Sequence, residues 1–230
     1  MSRREYRLTE SEELFEEFCH SNCVVVEKVV PESEKTPDYL VRHRDAAIIV
    51  EVKQFDATAA ERRTLLKSPD ELDESDAFYD GRPGDGVRSK INSAMPQLKR
   101  LSGGKIPTLL VLYDNVQLWP EICDAYAIKV AMYGVESILI TPEPAPEGGA
   151  TVVARWHGPR RKATRLANTS LSAIALLLLD GERLRMNIFH NFFARNPLSP
   201  VSLRSSSITH YRLPADPDHV FAEWEIFDSQ

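Results

Sequence analysis

Residues 106–114, IPTLLVLYD, form a continuous apolar run. Apolar and polar residues do not alternate within it, so the run predicts a strand that is buried on both faces. A strand of this kind lies inside a sheet and is covered on each side. The surrounding segments are therefore expected to supply neighbouring strands and the helices that cover them.

The pattern of the flanking segments predicts such an arrangement. A helix is predicted over 8–22, where Thr9 and Glu12 have the spacing of a capping box. Two further helices are predicted, over 87–101 and 121–134. Strands are predicted at 23–30, 38–44, 46–55, 135–141, 151–157, 170–179 and 183–193. The fold class is therefore α/β, with a mixed β-sheet flanked by helices and a β-rich C-terminal part.

The length and net charge of the chain exclude some classes of protein. A chain of 230 residues fits one domain, and its net charge of -6 argues against a protein that coats nucleic acid through bulk positive charge. The N-terminus is charged, and the longest apolar run, 173–179, is far shorter than the ~20 residues of a membrane span. The three cysteines show no disulfide framework. We expect a cytoplasmic protein.

Two short patterns suggest a chemical site. Pro37 and Asp38 open one predicted strand, and Glu51 and Lys53 close the next, two residues apart and therefore on one face. The interval from Asp38 to Glu51 suits two paired strands joined by a tight turn. On its own, an exposed Glu-x-Lys pair is usually a solvated ion pair worth under ~1 kcal/mol.

Taken with the leading helix and the helix-strand unit that follows, these patterns resemble the PD-(D/E)xK nuclease superfamily, which has the restriction-endonuclease-like fold. The resemblance covers residues 9–141, and 142–230 is expected to be a β-rich extension of the same domain. It implies a metal-dependent nuclease, endo or exo, that most readily acts on DNA. Asp38 and Glu51 would bind Mg²⁺ or Mn²⁺, and Lys53 would assist the attacking water.

The residue types suit that chemistry without the family. Two carboxylates leave several positions around a hard cation for water and phosphate oxygens, as magnesium prefers. A bound cation neutralises charge at the phosphate and lowers the pKa of water. Lys53, on the same face as Glu51, can orient that water or stabilise developing negative charge.

Further site residues are implied by the same resemblance, because some members add a glutamate from the first helix and a glutamine from the helix after the Glu-x-Lys strand. Glu12 borders the apolar stripe best and Glu13 is second, while a solvated acidic face stays the alternative for either. Gln97 stands on the later helix, and Lys90 lies about two turns before it.

Positive charge is concentrated in GPRRKATR, residues 158–165. This stretch is predicted to bind phosphates of nucleic acid, with a solvated basic loop as the alternative. Its basic residues are Arg160, Arg161, Lys162 and Arg165. The acidic segment 56–86 predicts a long loop, either a solvated excursion or a cap over a site. His190 and Asn191 are interpreted as packing at a strand end.

Two other functions stay open. The chain could be a catalytically inactive nuclease-fold module that binds nucleic acid or a protein partner, since a protein can keep its fold after losing catalytic activity. It could also be an unrelated hydrolase in which Glu-x-Lys is a coincidence. The chain could also pair with a second copy of itself as a homodimer.

Overall fold

The structure is a computed structural model that describes residues 8–30, 36–44, 46–57, 82–116, 123–144 and 150–227. Most of the segment predicted as an acidic loop, residues 58–81, lies outside these described residues. The choice between a solvated loop and a cap therefore stays a prediction.

Three α-helices are present in the described part of the chain: α1 Glu10–Ser21, α2 Asp85–Ser102 and α3 Ala125–Tyr133. The predicted capping box begins α1, since the Thr9 side chain accepts from the Glu12 backbone and the Glu12 side chain accepts from the Thr9 backbone. Gly103, at φ 54°, ends α2 in the left-handed region that favours glycine. None of the helices in the described ranges is long and apolar enough to cross a membrane.

The strands form one large sheet and one ribbon. In chain order they are β1 Val25–Lys28, β2 Tyr39–His43, β3 Ala46–Phe55, β4 Thr108–Asp114, β5 Glu136–Pro144, β6 Ala150–His157, β7 Ala173–Asp180, β8 Arg183–His190, β9 Ile208–Arg212 and β10 Glu225–Ile226. The eight-stranded sheet has the order β1-β2-β3-β4-β7-β8-β9-β10, and β5 and β6 pair separately. A short 3₁₀ turn, Pro200–Leu203, precedes β9.

The pairing directions make the sheet mixed. Strands β1, β2 and β3 form an antiparallel meander, and β4 runs parallel to β3. Strand β7 continues the parallel part beside β4, and β8 turns back antiparallel to it. The predicted mixed α/β architecture and its β-rich second half are confirmed. In the second half, β7 to β10 extend the same sheet, whereas β6 pairs with β5 apart from it.

Each face of the sheet carries its own core. On one face, Phe15 and Phe18 of α1 pack with Val50 and Val52 of β3. On the other, Ile91 of α2 and residues of α3 pack with alternate residues of β3 and β4. Because side chains alternate along a strand, Glu51 and Lys53 point to the face that α2 covers.

Candidate active site at the β2–β3 edge

Asp38 and Glu51 are brought together by the pairing of β2 with β3. Tyr39 lies opposite Val50 in the antiparallel register, and one further step along both strands places Asp38 opposite Glu51. The Asp38 carboxylate accepts a hydrogen bond from the backbone N–H of Val52 at 2.8 Å. The short turn between β2 and β3 therefore delivers the acid pair that the sequence predicts.

Glu51 is a fully buried carboxylate, 0% exposed. Its Oε1 accepts a hydrogen bond from the Lys53 ammonium, as expected for two residues that share one face of a strand. Its Oε2 has no hydrogen-bond partner among the described residues. Since buried polar atoms are nearly always satisfied, this oxygen marks an open position beside Asp38.

The two carboxyls perturb each other. Burial raises the pKa of Glu51, and the charge of Asp38 raises it further. Lys53 and the backbone N–H of Asp38 offset only part of this, so the pKa reaches about 7. Burial also raises the pKa of Asp38 against the hydrogen bond from Val52 and the charge of Lys53. Two acids held at raised pKa values beside one lysine are typical of a functional site.

Glu12 is the helix α1 glutamate that turns inward, whereas Glu13 is exposed. Its Oε2 accepts from the Thr9 backbone, and its Oε1 accepts from the ammonium of Lys28 at 2.9 Å. Burial raises the pKa of Glu12, but these hydrogen bonds outweigh it and leave the pKa below its usual value. Its negative charge in turn contributes to the raised pKa of Asp38. Glu12 is therefore near enough to Asp38 for its charge to act on that carboxyl, and both of its own oxygens are already engaged.

Lys28 is a second cation at this edge that the sequence analysis did not select. It ends β1, lies opposite Tyr39 in the register, and stands 5.3 Å from the centroid of that ring. Its charge lowers the pKa of both Glu12 and Asp38. The one signal for it in the sequence is its place at the end of the strand that pairs with β2.

Helix α2 brings both of its predicted residues to the same face. The ammonium of Lys90 lies 5.0 Å from the centroid of the Phe55 ring, two residues beyond Lys53 on β3. Burial lowers the pKa of Lys90, and the charge of Lys53 acts in the same direction against Asp56. Gln97 makes a long contact of 3.5 Å to the carbonyl oxygen of Thr36, just before Asp38.

Gln54 has a structural contact on the opposite face. Its Oε1 accepts from the backbone N–H of Ser11 at 2.9 Å, which ties the first turn of α1 to β3. The side chain of Gln54 therefore points away from Glu51 and Lys53.

The acid pair suits a hard divalent cation. Asp38 and Glu51 present carboxylate oxygens, and the unpartnered Oε2 of Glu51 is the kind of buried atom that a cation would satisfy. In the ranges that the structure describes, no group of three or more His, Cys, Asp or Glu side chains has the geometry of a metal site. A cation here would therefore take most of its ligands from water and substrate, as magnesium does.

The basic stretch 158–165 is largely engaged within the chain. Arg161 pairs with Asp218, and Arg165 pairs with both Asp216 and Asp218. Arg160 lies 3.4 Å from Asp85, at the first residue of α2. Lys162 forms no ion pair with any residue of the described ranges. These arginines are thus not a free basic patch, and their contact with phosphate stays a prediction.

His190 and Asn191 lie elsewhere in the sheet. His190 ends β8, which β4 and β7 separate from β3. Asn191 donates from Nδ2 to the carbonyl of Leu171 at 2.8 Å, and its Oδ1 accepts from the N–H of Phe193 at 3.0 Å. Asn191 is therefore a packing residue, as interpreted from the sequence.

Comparisons with protein-family models, with curated proteins and with solved structures give no match for this chain. The functional assignment therefore depends on the geometry at the β2–β3 edge and on the resemblance of its motif.

Proposed function

We propose that this protein is a metal-dependent nuclease that hydrolyses phosphodiester bonds, with DNA as its preferred substrate. The observation that carries the proposal is the environment of Glu51. It is a fully buried carboxylate with one oxygen bonded to Lys53, the other unpartnered among the described residues, and Asp38 beside it. A purely structural ion pair has no need of the second acid or the open oxygen.

In this proposal Asp38 and Glu51 hold a divalent cation, Mg²⁺ or Mn²⁺. When bound, the cation neutralises charge on the phosphate and makes hydroxide available from water near neutral pH. A cation also favours the ionised carboxylates, whose pKa values are raised without it. Metal binding and deprotonation of Glu51 are thus coupled.

Lys53 is placed to act on the same face as Glu51. About a quarter of its side chain, 24%, is exposed, whereas Glu51 beside it is inaccessible. The ammonium can therefore contact a phosphate or a water that approaches from solvent while it stays hydrogen-bonded to Glu51. Lys90, on α2 above the same strand, adds a second positive charge near the end of β3.

The direct test is cleavage under single-turnover conditions. Wild-type protein, Glu51→Gln and Glu13→Gln would each be incubated with linear, nicked, single-stranded and branched DNA in Mg²⁺ or Mn²⁺. Glu13 is exposed on α1, so Glu13→Gln removes the same charge from outside the site. We expect cleavage by wild type and Glu13→Gln, and none by Glu51→Gln.

Metal binding separates the proposal from a catalytically inactive module. A cation that binds only the folded protein raises its stability in proportion to the logarithm of its concentration. We expect Mn²⁺ to raise the melting temperature of wild type and Glu13→Gln, and not of Glu51→Gln. If the wild-type protein shows neither cleavage nor this metal-dependent stabilisation, the result contradicts the nuclease and favours the inactive module.

A further inference from the structure

A cavity of about 540 Å³ lies away from the acid pair. It opens where β8 and β9 end, and its walls include His190 and Leu198. Leu198 and Ala173, the register partner of His190, belong to the core that α1 covers. The His190 and Leu198 wall is therefore on the opposite face of the sheet from Glu51, and β4 and β7 lie between β8 and β3.

A chain of three hydrogen-bonding groups fixes the state of His190. The carbonyl oxygen of Leu203 lies 3.1 Å from Nε2 of His210, and a carbonyl can only accept, so this nitrogen carries the hydrogen. In neutral His210, Nδ1 is then an acceptor. It lies 2.9 Å from Nε2 of His190, which must donate to it.

The remaining nitrogen of His190, Nδ1, is consequently a hydrogen-bond acceptor when the ring is neutral. Burial lowers the pKa of His190 to about 3, and positive charge on His210, when that ring is protonated, and on Arg212 acts in the same direction. The ring is therefore neutral at physiological pH. No hydrogen bond to Nδ1 is made by the residues that the structure describes.

The mouth of the cavity carries a cation on an aromatic surface. The guanidinium of Arg212 lies 4.4 Å from the centroid of the Phe227 ring. Arg212 is exposed and forms no ion pair with an acidic side chain in the described ranges, and Glu225 lies opposite it on β10. Phe192, 43% exposed, and the rings of Pro197 and Pro200 add flat apolar surface to the walls.

These features together specify a ligand. The acceptor on His190 can take an N–H or O–H donor from a ligand, and the exposed guanidinium of Arg212 can pair with an anion. The aromatic and proline rings favour a planar group between them, since aromatic side chains stack on bases of any sequence. The volume lies within the usual range of small-molecule pockets, ~300–1,000 Å³.

We propose that this cavity binds a nucleotide unit, with its phosphate on Arg212, its base against the Phe227 side of the cavity and a base N–H donated to Nδ1 of His190. The unit can be a free deoxynucleoside monophosphate or an unpaired nucleotide of a strand. Binding involves neither Asp38 nor Glu51 and needs no metal, so the site is independent of the proposed nuclease activity.

The test uses the wild-type protein in EDTA, where metal-dependent cleavage cannot occur. Calorimetry would compare the four deoxynucleoside monophosphates with the matching nucleosides, deoxyribose 5-phosphate, inorganic phosphate and a short single-stranded oligonucleotide. We expect at least one monophosphate to bind roughly tenfold or more tightly than its nucleoside or deoxyribose 5-phosphate, because the nucleoside lacks the charge-assisted hydrogen bond and the sugar phosphate lacks the base. Competition by the oligonucleotide would assign the source as a strand, and its failure would assign a free nucleotide.

Nitrogen NMR of the histidine rings reports the site directly. We expect hydrogen on Nε2 and none on Nδ1 of both His190 and His210, and a shift of the His190 Nδ1 resonance when the nucleotide binds. Hydrogen on Nδ1 of His190 in the free protein, or no shift at saturation, would overturn the proposal.

A pair of matched variants tests the anion contact. Arg212→Gln should weaken nucleotide binding by roughly tenfold or more, since it removes a charged hydrogen bond from an exposed position. Arg185→Gln removes the same charge from the other end of β8, where it pairs with Asp180, and should leave binding unchanged. Equal affinities for the two variants, or binding of inorganic phosphate as tight as that of the nucleotide, would overturn the assignment.

Discussion

Asp38 lies opposite Glu51 across the β2–β3 pair, and its charge raises the pKa of the Glu51 carboxyl. Like charges held close together oppose ionisation of both groups. In the absence of a cation, this pair destabilises the folded state at any pH where both acids are ionised. Once a divalent cation binds, the two negative charges stabilise the folded state instead. Removal of one acid should therefore have opposite effects without and with the cation.

The first prediction concerns Asp38→Asn. Asparagine keeps an oxygen that can accept from the Val52 backbone and removes the charge that opposes ionisation of Glu51. In EDTA near pH 8 we expect a higher melting temperature, by a few degrees for ~1 kcal/mol. In Mg²⁺ we expect loss of cleavage. Asp180→Asn, which removes an exposed charge from the β7–β8 turn, is the control and should change neither property. A lower melting temperature with wild-type cleavage would refute the assignment.

The second prediction is a pH dependence of stability that belongs to Glu51. Its pKa is raised in the fold from 4.5 to about 7, so the folded state holds this proton more tightly than the unfolded chain. The contribution of this proton to the free energy of unfolding is fully present below pH 4.5 and is lost as the pH rises through about 7. Its size is on the order of 3 kcal/mol. Glu51→Gln lacks it, because an amide does not titrate in this range.

The measurement is the difference in unfolding free energy between wild type and Glu51→Gln, from urea titrations in EDTA across that range. The difference is needed because His157 and His190 have pKa values below 6.5, lowered mainly by burial. They reduce stability as the pH falls, which opposes the Glu51 contribution over part of the same range. A difference that is constant with pH would show that Glu51 ionises normally in the fold.

Much of the frame around the site could be predicted because its contacts are local in sequence. Runs of β-prone residues split by short turns predicted the strands β1, β2 and β3 and the pairing of β2 with β3. Side-chain alternation put Glu51 and Lys53 on one face. The apolar stripe on α1 singled out Glu12, which is 3% exposed. Each of these inferences depends on residues at most a strand or a turn apart.

Other features depend on contacts between distant parts of the chain, which periodicity does not specify. Strand β7 pairs with β4 through Leu109 and Ala173, so the second half extends the sheet. Asp216 and Asp218 neutralise arginines that the local sequence presents as a basic stretch. The unpartnered oxygen of Glu51 is likewise a property of the packed interior and has no signature in the sequence.

The third prediction concerns the basic stretch and the salt dependence of DNA binding. Lys162, without an ion pair among the described residues, is the member best able to contact phosphate. Lys162→Ala should reduce the slope of log K against log salt by ~0.9, because the variant neutralises one phosphate fewer. Lys105→Ala, at an exposed lysine just after α2, is the matched control and should keep the wild-type slope.

Loss of Arg161 should behave differently, because it removes one of the two arginines that pair with Asp218 and should lower the melting temperature. A protein with Arg160, Arg161 and Lys162 all replaced by alanine, still folded and with an unchanged salt slope, would show that the stretch does not contact DNA.

The last prediction separates catalysis from charge balance at Lys53, which bonds the buried Glu51. If Lys53 acts on the phosphate or the attacking water, Lys53→Ala should reduce single-turnover cleavage by at least ~100-fold. Lys53→Arg should rescue poorly, since a planar fork does not replace a compact ammonium. Near pH 5 Glu51 is protonated and therefore needs no counter-ion, so Lys53→Ala should have a melting temperature close to that of wild type. Lys99→Ala, on the exposed side of α2, should match wild type throughout.

Thermal melts near pH 5 and pH 8 distinguish the two roles of Lys53. Without the ammonium, the pKa of Glu51 should rise further, because Lys53 lowers it in the wild type. Lys53→Ala should therefore lose stability relative to wild type only as the pH rises, and should need more Mn²⁺ at neutral pH because the cation competes with a more tightly held proton. A variant with this stability pattern and wild-type cleavage would make Lys53 a counter-ion for Glu51 and nothing more. Loss of cleavage at pH 8 in saturating Mn²⁺, where Glu51 is ionised in both proteins, would assign it a catalytic role.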